Sequence, residues 1–412
     1  MEIWIPYGSS EVGVGVKPEN LSAILKPKTQ QPVQDSKKEI ATALDNAIKN
    51  IKREKQNLEK VNLAIIIDSF FGKPFFDNIN SLIIELCRRL EIHKVIISWN
   101  NEEGCENLYR TLQTLNISNI TILDNNSSNS KLLLNKNLKE NTIEKSIPLI
   151  EANLRVFIGR VGLDPIWDYK SSTSMFIELS DMQTKSELFR TIVTSHLDCK
   201  TVDTKRLKES INKLVSSIGP CLAFDIFVNE EEAISKILVN SFDDFLIKSA
   251  DAIDEVYKVA AETTSDILVV SAGGSHYDNT LENSLDAIML NKDLVKKGGT
   301  IILVAECLDG YGNEDFLEIT SEYNEIKSLK SFLKKEPTIG KFKAYMLKKL
   351  LDDFRLCLVS VMPDYYARSI FKFRTYRTVG EALQSALRII GKQATITVMP
   401  YGAFTQGIIR KT

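Results

Sequence analysis

The fold is decided by the stretch from Ile267 to Phe316, ILVVSAGGSHYDNTLENSLDAIMLNKDLVKKGGTIILVAECLDGYGNEDF. Two continuous aliphatic runs, at Ile267 to Val270 and at Ile301 to Val304, are typical of strands that are covered on both faces of a parallel sheet. Apolar residues recur at helical spacing between them, and the pair Gly298-Gly299 is expected to end that helix. The stretch therefore predicts a strand, helix, strand unit of a doubly wound sheet.

The loops that follow these two strands are the first candidate site. In open parallel sheets, ligands bind beyond the carboxyl ends of the strands, which places Ser271 to Asn279 and Glu306 to Asn313 on one rim. We expect the helix to begin at Asn279, with Glu282 completing a capping box. Free backbone N–H groups and the positive end of the helix dipole would then favour an anion at this rim.

The rest of the chain repeats this alternation of strands and helices. A buried strand at Asn62 to Ile67 exits into the loop Ser69 to Pro74, and we expect that loop to face Ser271 to Asn279 across a cleft. Cys221 to Val228 and Ser235 to Val239 are expected to pair as antiparallel edge strands. The predicted fold class is α/β, with two doubly wound, mostly parallel-sheet domains (residues 1–255 and 256–412) and an interdomain cleft.

Composition narrows the class of protein. The 412 residues are 43% hydrophobic and 26% charged, and the formal net charge is −2, so nothing indicates a nucleic-acid or membrane partner. We find no apolar run of the roughly 20 residues that a membrane span needs, and the first residues do not resemble a signal peptide. The six cysteines show no paired spacing, which is typical of reduced thiols in a cytoplasmic protein.

Two segments carry a family resemblance. GGSHYD, followed by KKGGTIILVAECLDGYGNEDF, resembles the lactate racemase family of 2-hydroxy-acid racemases and epimerases that depend on a nickel-pincer nucleotide. The glycine pair, the nearby aspartate, the GGTI strand and the DGxG turn occur in order and at the family's spacing. The resemblance implies the two-domain fold and a ligand-binding or cofactor-binding rim. The residues of that rim in this chain are Gly273, Gly274, Tyr277, Asp278 and Asn279.

The same resemblance shows where this chain departs from the family. In the first active-site loop, Phe70 replaces an aspartate and Lys73 replaces an arginine, before Pro74. Neither proton-transfer histidine is matched, and the lysine that carries the nucleotide is also replaced. The remaining substituted positions are Glu102 near the first histidine, Asp164 for the second, Ser171-Ser172 for a glycine pair, Ser174 for the tether lysine, and Asn283 and Asp286 for a glutamine and a lysine.

No catalytic residue can be assigned from these positions, so the candidates remain open. Lys73, Asp164 and His276 are the first candidates, because each is placed by the resemblance or by the rim argument. The family's nickel-binding histidine falls near Arg190, and a small gap would bring His196 to it. The further candidates are Asp168, Lys170 and Tyr277, with Lys185 as another lysine near the lost tether and Cys199 as a possible partner of His196.

Two functional hypotheses follow. In the first, a diverged family member binds a small hydroxylated anion, such as a 2-hydroxy acid, a sugar acid or a nucleotide. It would do so without a nickel-pincer nucleotide and without racemising lactate. In the second, a catalytically silent paralogue acts as a binding or partner subunit, in a homo-oligomer or with another protein. The first requires proton-transfer groups in the cleft, and the second predicts a cleft without a converging acid and base.

Overall fold

A computed structural model of the chain describes residues 1–53, 60–71, 73–123, 152–172, 175, 182–197, 220–231, 233–241, 245–322 and 325–410. The strands are β1 (Glu2–Tyr7), β2 (Ser10–Gly15), β3 (Leu21–Ile24), β4 (Val61–Ile67), β5 (Ile92–Trp99), β6 (Ile120–Leu123), β7 (Leu154–Arg160), β8 (Gly162–Asp164), β9 (Asp168–Lys170), β10 (Cys221–Val228), β11 (Ile234–Ser241), β12 (Lys258–Ala261), β13 (Ser265–Ser271), β14 (Val295–Val304), β15 (Arg355–Val359), β16 (Arg374–Tyr376), β17 (Ile396–Met399) and β18 (Gln406–Ile409). The α-helices are α1 (Ser36–Arg53), α2 (Phe76–Arg89), α3 (Glu102–Thr114), α4 (Met182–Leu197), α5 (Phe245–Tyr257), α6 (Ser275–Asp278), α7 (Leu281–Asn291), α8 (Glu314–Glu322), α9 (Ile326–Lys335), α10 (Ile339–Asp353) and α11 (Val379–Ile390).

The fold class is α/β, as predicted, with two large sheets. The first has the strand order β11-β10-β7-β4-β5-β6, and the second has the order β16-β15-β14-β13-β17-β3. All pairs in the second sheet are parallel. In the first, only β10 and β11 pair antiparallel, which confirms the predicted edge pair. Every residue of β7 is buried, as expected for a strand covered on both faces.

The beginning of the chain packs with the second sheet. Strand β3 pairs in parallel with β17, and Ile3, Ile5 and Val14 of the β1-β2 hairpin pack against Ile267 and other residues of that sheet. The boundary between residues 255 and 256 stays a prediction, but β1 to β3 lie with the second half of the chain. Sequence order gives no signal for this, because the partner strand β17 is more than 370 residues away.

The pair Gly298-Gly299 lies inside β14, so the prediction that it ends the preceding helix is wrong. Helix α7 ends at Asn291, and a 3₁₀ turn at Lys292–Leu294 follows it. A Cβ on Gly299 would lie 2.7 Å from the carbonyl oxygen of Asp266, which explains the need for glycine there. The ladder between β13 and β14 is also irregular at this point, so the glycines mark a bulge rather than a helix end.

Two smaller expectations concern the cysteines and the helices. Of the five cysteines that the structure describes, which leaves out Cys199, four are buried and Cys87 is half-buried. Within the described ranges, no helix is both long enough and apolar enough to cross a membrane.

Candidate interdomain site

The exit loops of the two sheets meet. Phe70 follows β4 of the first sheet, His276 lies in the short helix α6 after β13 of the second, and their ring centroids are 4.8 Å apart. The carboxyl ends of β4 and β13 therefore face each other, which confirms the prediction that these two loops share one region. We call this region, with the residues that surround Arg160, the interdomain site.

Arg160 lies at the centre of this meeting point. It is the last residue of β7, and its Cζ lies 4.1 Å from the ring centroid of Phe70, 4.8 Å from that of Tyr277 and 5.3 Å from that of Phe404. Only 7% of Arg160 is exposed. Aromatic faces attract a guanidinium, so its burial among aromatic rings costs less free energy than its burial among aliphatic side chains. Rings from both halves of the chain thus hold one positive charge where the sheets meet.

Lys73 takes no part in this contact. Its Nζ lies 3.3 Å from Oε1 of Glu103 in the same half of the chain, and 79% of the Lys73 side chain is exposed. The residue of this loop that reaches the opposite rim is Phe70, three positions earlier. At this site an apolar ring therefore stands where the resemblance implies an aspartate.

The glycine pair and Asp278 contact the N-terminal hairpin. Gly274 has φ +94°, and the N–H of Ser275 donates to the carbonyl oxygen of Gly8 at 2.9 Å. Asp278 is fully buried, and its Oδ2 accepts the N–H of Gly8 at 2.7 Å and that of Glu306 at 3.3 Å. These residues, predicted to contact a ligand, are placed so that they hold the hairpin turn against the second sheet.

Helix α7 begins two residues later than the predicted Asn279, and its first N–H groups are already bonded. Thr280 is the N-cap, and its Oγ1 accepts the N–H of Asn283 at 3.2 Å. The loop after β14 accepts the two preceding N–H groups, through Gly310 at 3.0 Å and Tyr311 at 3.1 Å. The predicted capping box and the predicted free N–H groups are therefore wrong.

The carboxylate of Glu282 also lies elsewhere than predicted. Its Oε2 accepts the backbone N–H of Asn313 at 2.7 Å and the side-chain amide of Asn313 at 2.9 Å. Glu282 is 3% exposed, and a Cβ on Gly312 would clash with it. At the other predicted rim segment, Glu306 to Asn313, the polar groups of Asn313 are thus bonded within the protein.

A buried ion pair lies farther along α7. The Nζ of Lys343, in α10, is 2.8 Å from Oδ1 of Asp286, and it donates to the carbonyl oxygen of Glu282 at 2.9 Å. Burial raises the pKa of Asp286 to about 6, Lys343 opposes this shift, and the negative charge of Asp164 adds to it. A carboxyl group with a pKa near neutrality is one that can exchange a proton under ordinary conditions.

Asp164 belongs to the first half of the chain, and its negative charge acts on Asp286. It ends β8, and its Oδ1 accepts the N–H groups of Ile166 and Trp167, both at 2.8 Å. Those two bonds fix the carboxylate after the strand. The structure therefore brings together Asp164, which the sequence singled out, and Asp286, which it noted only as a replaced lysine.

Ser171 and Ser172, in the place of a family glycine pair, are buried. The N–H and Oγ of Ser172 donate to Oδ1 of Asp225 at 3.2 and 2.6 Å, and Ser249 donates to Oδ2 at 2.8 Å. Burial raises the pKa of Asp225 to about 6, while these hydrogen bonds oppose the shift. This part of the loop is fixed by a carboxylate that is enclosed by protein.

The other candidates are dispersed or lie beyond the described residues. Glu102 is exposed at the start of α3, and Asp168 and Lys170 lie in the short β8-β9 hairpin, where Lys170 is opposite Gly162. Asn279 accepts from the side chain of Asn283 and donates to Asp309. Ser174 and Cys199, and the side chains of Lys185 and His196, lie outside the described part of the chain.

Sequence reasoning missed Arg160 and Lys343. Arg160 directly follows the buried run of β7, so its position at a strand exit was a usable signal. Lys343 is one of eight lysines between Ser321 and Asp353, and nothing in the sequence separates it from the others. Only the packing of α10 against α7 distinguishes it.

The fold and this site together define a two-domain α/β protein whose two parallel sheets meet at their carboxyl ends. Residues 259–405 match the lactate racemase C-terminal domain family. The chain is 21% identical to the lactate racemase of Thermoanaerobacterium thermosaccharolyticum, over 97% of both chains. It is 25% identical to the lactate racemase of Lactiplantibacillus plantarum, over 37% of each. These findings confirm the resemblance to the lactate racemase family, over nearly the whole chain for the first relative and for residues 259–405 in the family model.

Solved structures agree on the fold. The lactate racemase apoprotein of T. thermosaccharolyticum superposes with a TM-score of 0.75 at 18% identity, over all of both chains. A protein from Thermotoga maritima superposes with a TM-score of 0.62 at 13% identity, over 93% of this chain and all of that one. Both similarities extend over nearly the whole chain, so the two-sheet architecture is that of these proteins.

The structure describes part of the region where the resemblance implies a nickel-pincer nucleotide. At the position of the family's helix lysine, this chain has Asp286, which already forms an ion pair with Lys343. Within the described ranges, no group of three or more His, Cys, Asp or Glu side chains is arranged to hold a metal ion.

Proposed function

We propose that this member of the lactate racemase family binds a small hydroxylated anion at the interdomain site. The observation that carries the proposal is the buried guanidinium of Arg160, held by the rings of Phe70, Tyr277 and Phe404 where the two sheets meet. A guanidinium is planar and always charged, and it is the side chain best suited to bind a carboxylate or a phosphate. The anion class includes 2-hydroxy acids, sugar acids and nucleotides.

The positive charge proposed here differs in origin from the one expected from the sequence. The N–H groups at the start of α7 are bonded to Gly310, Tyr311 and Thr280, and Lys73 pairs with Glu103. Arg160 replaces both as the group that would meet the anion. Since it lies between the halves of the chain, a bound anion would contact both.

The test is calorimetry with a panel of 2-hydroxy acids, sugar acids and nucleotides. The variants are Arg160→Gln and Arg160→Lys, with Arg110→Gln as the matched control. Arg110 has a side chain that is 71% exposed and pairs with Glu106 on its own helix. We expect at least one acid to bind the wild type and the control equally, and to bind Arg160→Gln at least tenfold more weakly. Arg160→Lys keeps the charge and tests whether the planar group is needed.

The second candidate function is that of a catalytically silent paralogue that serves as a binding or partner subunit. It is favoured by Asp286 in place of the family's helix lysine and by the internally bonded rim at Asp278. Negligible heats with every member of the panel, for the wild type and all variants, would leave only this candidate.

A further inference from the structure

The loops that follow β15 and β16 enclose a cavity of about 500 Å³, which we call the edge cavity. Strand β16 is the edge of the second sheet, three strands from β13, which is about 14 Å at the usual strand spacing. After β15, a π-helix at Tyr365–Ile370 packs on the face of the sheet that carries α7 and α10, whereas α11, after β16, packs on the opposite face. Adjacent strands whose connections diverge in this way leave a crevice at their carboxyl ends, where open sheets bind ligands.

Part of the lining of the edge cavity is apolar. Leu358 and Met362 supply it, and both belong to the hydrophobic core on the α7 and α10 side of the sheet. Leu358 pairs with Thr375 in the register of β15 and β16, so these two side chains lie on the same face. Arg377 follows two residues after Thr375 and lines the same cavity. Apolar and charged groups therefore border one space.

Arg368 and Asp364 form the first charged pair of the lining. Nε and Nη2 of Arg368 donate to the hydroxyl and carbonyl oxygens of Thr375, the second at 3.2 Å. Oδ1 of Asp364 accepts the hydroxyl of Thr375 at 2.7 Å and lies 3.5 Å from Nε of Arg368. Within the described part of the chain, these contacts use neither Nη1 of Arg368 nor Oδ2 of Asp364. Thr375 thus fixes an available donor beside an available acceptor.

Arg377 and Glu381 form the second pair, at the start of α11. Oε2 of Glu381 accepts the backbone N–H of Arg377 at 3.2 Å, and both residues line the edge cavity. The lining thus carries two guanidinium groups and two carboxylates. A simple anion would meet both carboxylates there, and a simple cation would meet both guanidinium groups. A ligand that carries both charges finds an opposite charge for each of them.

We propose that the edge cavity binds an α-amino acid with an apolar side chain. The ligand carboxylate would bond Arg377 and Nη1 of Arg368, and its ammonium group would bond Oδ2 of Asp364. The two charges of an α-amino acid are joined through one carbon atom, so they need a donor and an acceptor that are themselves neighbours. Arg368 and Asp364 meet this need, with Nε and Oδ1 3.5 Å apart. The ligand side chain would cover Leu358 and Met362, and burial of its apolar surface would favour binding.

The experiment is calorimetry of the whole protein with leucine and three matched probes. The acid 4-methylpentanoate has the leucine skeleton without the ammonium group, and 3-methylbutylamine has it without the carboxylate. Serine keeps both charges and lacks the apolar side chain. We expect leucine to bind about tenfold more tightly than each probe, because each one leaves a charged or an apolar part of the cavity without its partner. Equal binding of leucine and serine would overturn the apolar preference.

Arg377→Gln and Asp364→Asn are the variants, and Arg374→Gln is the matched control. Arg374 is an exposed arginine of the same strand pair that does not line the cavity. We expect Arg377→Gln to weaken leucine binding about tenfold and the control to leave it unchanged. Asp364 also bonds Thr375, so Asp364→Asn can alter the loop itself. Arg377→Gln removes no printed contact of an internal kind, because only the backbone N–H of Arg377 bonds Glu381, so this variant keeps the test decisive.

The remaining outcomes separate this site from the interdomain site, on which the inference does not rest. Leucine should bind Arg160→Gln as tightly as it binds the wild type. Loss of leucine binding in Arg160→Gln, with Arg377→Gln unaffected, would place the amino acid between the two sheets and overturn the edge cavity. Equal binding of leucine and 4-methylpentanoate would show a site for simple anions and overturn the proposal. The absence of any heat with leucine would overturn it as well, and the binding of acids at Arg160 would still stand or fall by its own test.

Discussion

The segment Ser271 to Asn279, which we call the glycine rim, and Asp286 of α7 come from the same β-α-β stretch, but their surroundings differ. At the rim, Gly274 and Asp278 contact the N-terminal hairpin, and the first N–H groups of α7 bond to the following loop. Farther along the helix, Asp286 keeps part of its side chain exposed and forms an ion pair with Lys343 of α10. A loop whose sequence resembles a ligand-binding motif can thus be bonded within its own protein. Arg160, which we propose to meet the anion, lies at a position without a motif.

The largest effect is expected at the rim. Asp278→Ala would leave the N–H groups of Gly8 and Glu306 without their buried acceptor, so we expect the free energy of unfolding to fall by about 4 kcal/mol. Urea unfolding measures this, with the exposed Asp293→Ala as the control. A loss below about 1 kcal/mol would mean that the rim is not held together by Asp278.

Asp225 is a second buried carboxylate, and it differs from the partly exposed Asp286 in being fully enclosed. Its pKa is raised by burial to about 6, against 3.8 as the ordinary value, so the folded state holds this proton more tightly than the unfolded state. Its contribution to stability is therefore full below about pH 4 and is lost as the pH rises towards 6, by about 3 kcal/mol in all.

Asp225→Asn should remove that pH dependence. An amide at this position keeps one acceptor for Ser172, and its NH₂ group can donate to Oγ of Ser249. Denaturant unfolding of both proteins from pH 4 to pH 7 makes the comparison. If the free energy of unfolding changed equally with pH in the wild type and in Asp225→Asn, the pH dependence would not come from Asp225.

The ion pair is expected to have a smaller effect, because Asp286 is partly exposed. Lys343→Met leaves the carboxylate without its cation, and we expect a loss of about 2 kcal/mol at pH 7. The loss should be smaller at pH 5, where Asp286 is mostly protonated in the folded state. The double variant Lys343→Met/Asp286→Asn should recover part of the stability, and its failure to do so would argue against a direct pair.

The smallest effect is expected for Lys73→Ala. Its ion pair with Glu103 is exposed at both partners, and exposed pairs of this kind contribute about 0.5 kcal/mol or less. Stability and acid binding should both match the wild type. A loss of acid binding in this variant would restore the interpretation in which Lys73 meets the anion.

Much of the fold could be predicted from the sequence, because continuous aliphatic runs such as those of β4 and β13 indicate buried parallel strands. The pairing of β3 with β17 could not, since it depends on contacts between distant parts of the chain. Gly298-Gly299 was misinterpreted because a glycine pair that follows a helix resembles a helix end. Here the glycine pair lies within a strand, because a Cβ on Gly299 would clash with the carbonyl oxygen of Asp266.

The site was predicted only in part. Strand exits correctly indicated that Phe70 and His276 would meet, and the resemblance pointed to Asp164. The acceptors that occupy the start of α7 come from a loop about 30 residues later, so no local pattern shows them. The same holds for Lys343, whose partner lies on another helix. Contacts between elements decide which polar groups remain available to a ligand.

Hydrogen exchange with and without a bound hydroxy acid tests the central claim most directly. The claim is that Arg160 of the interdomain site, rather than the start of α7 and the turn before it, meets the ligand. With glycerate as the ligand, we expect slower exchange in segment 160–167, which carries Arg160, and no change in segment 275–280. Slower exchange confined to 275–280, with 160–167 unchanged, would contradict the account.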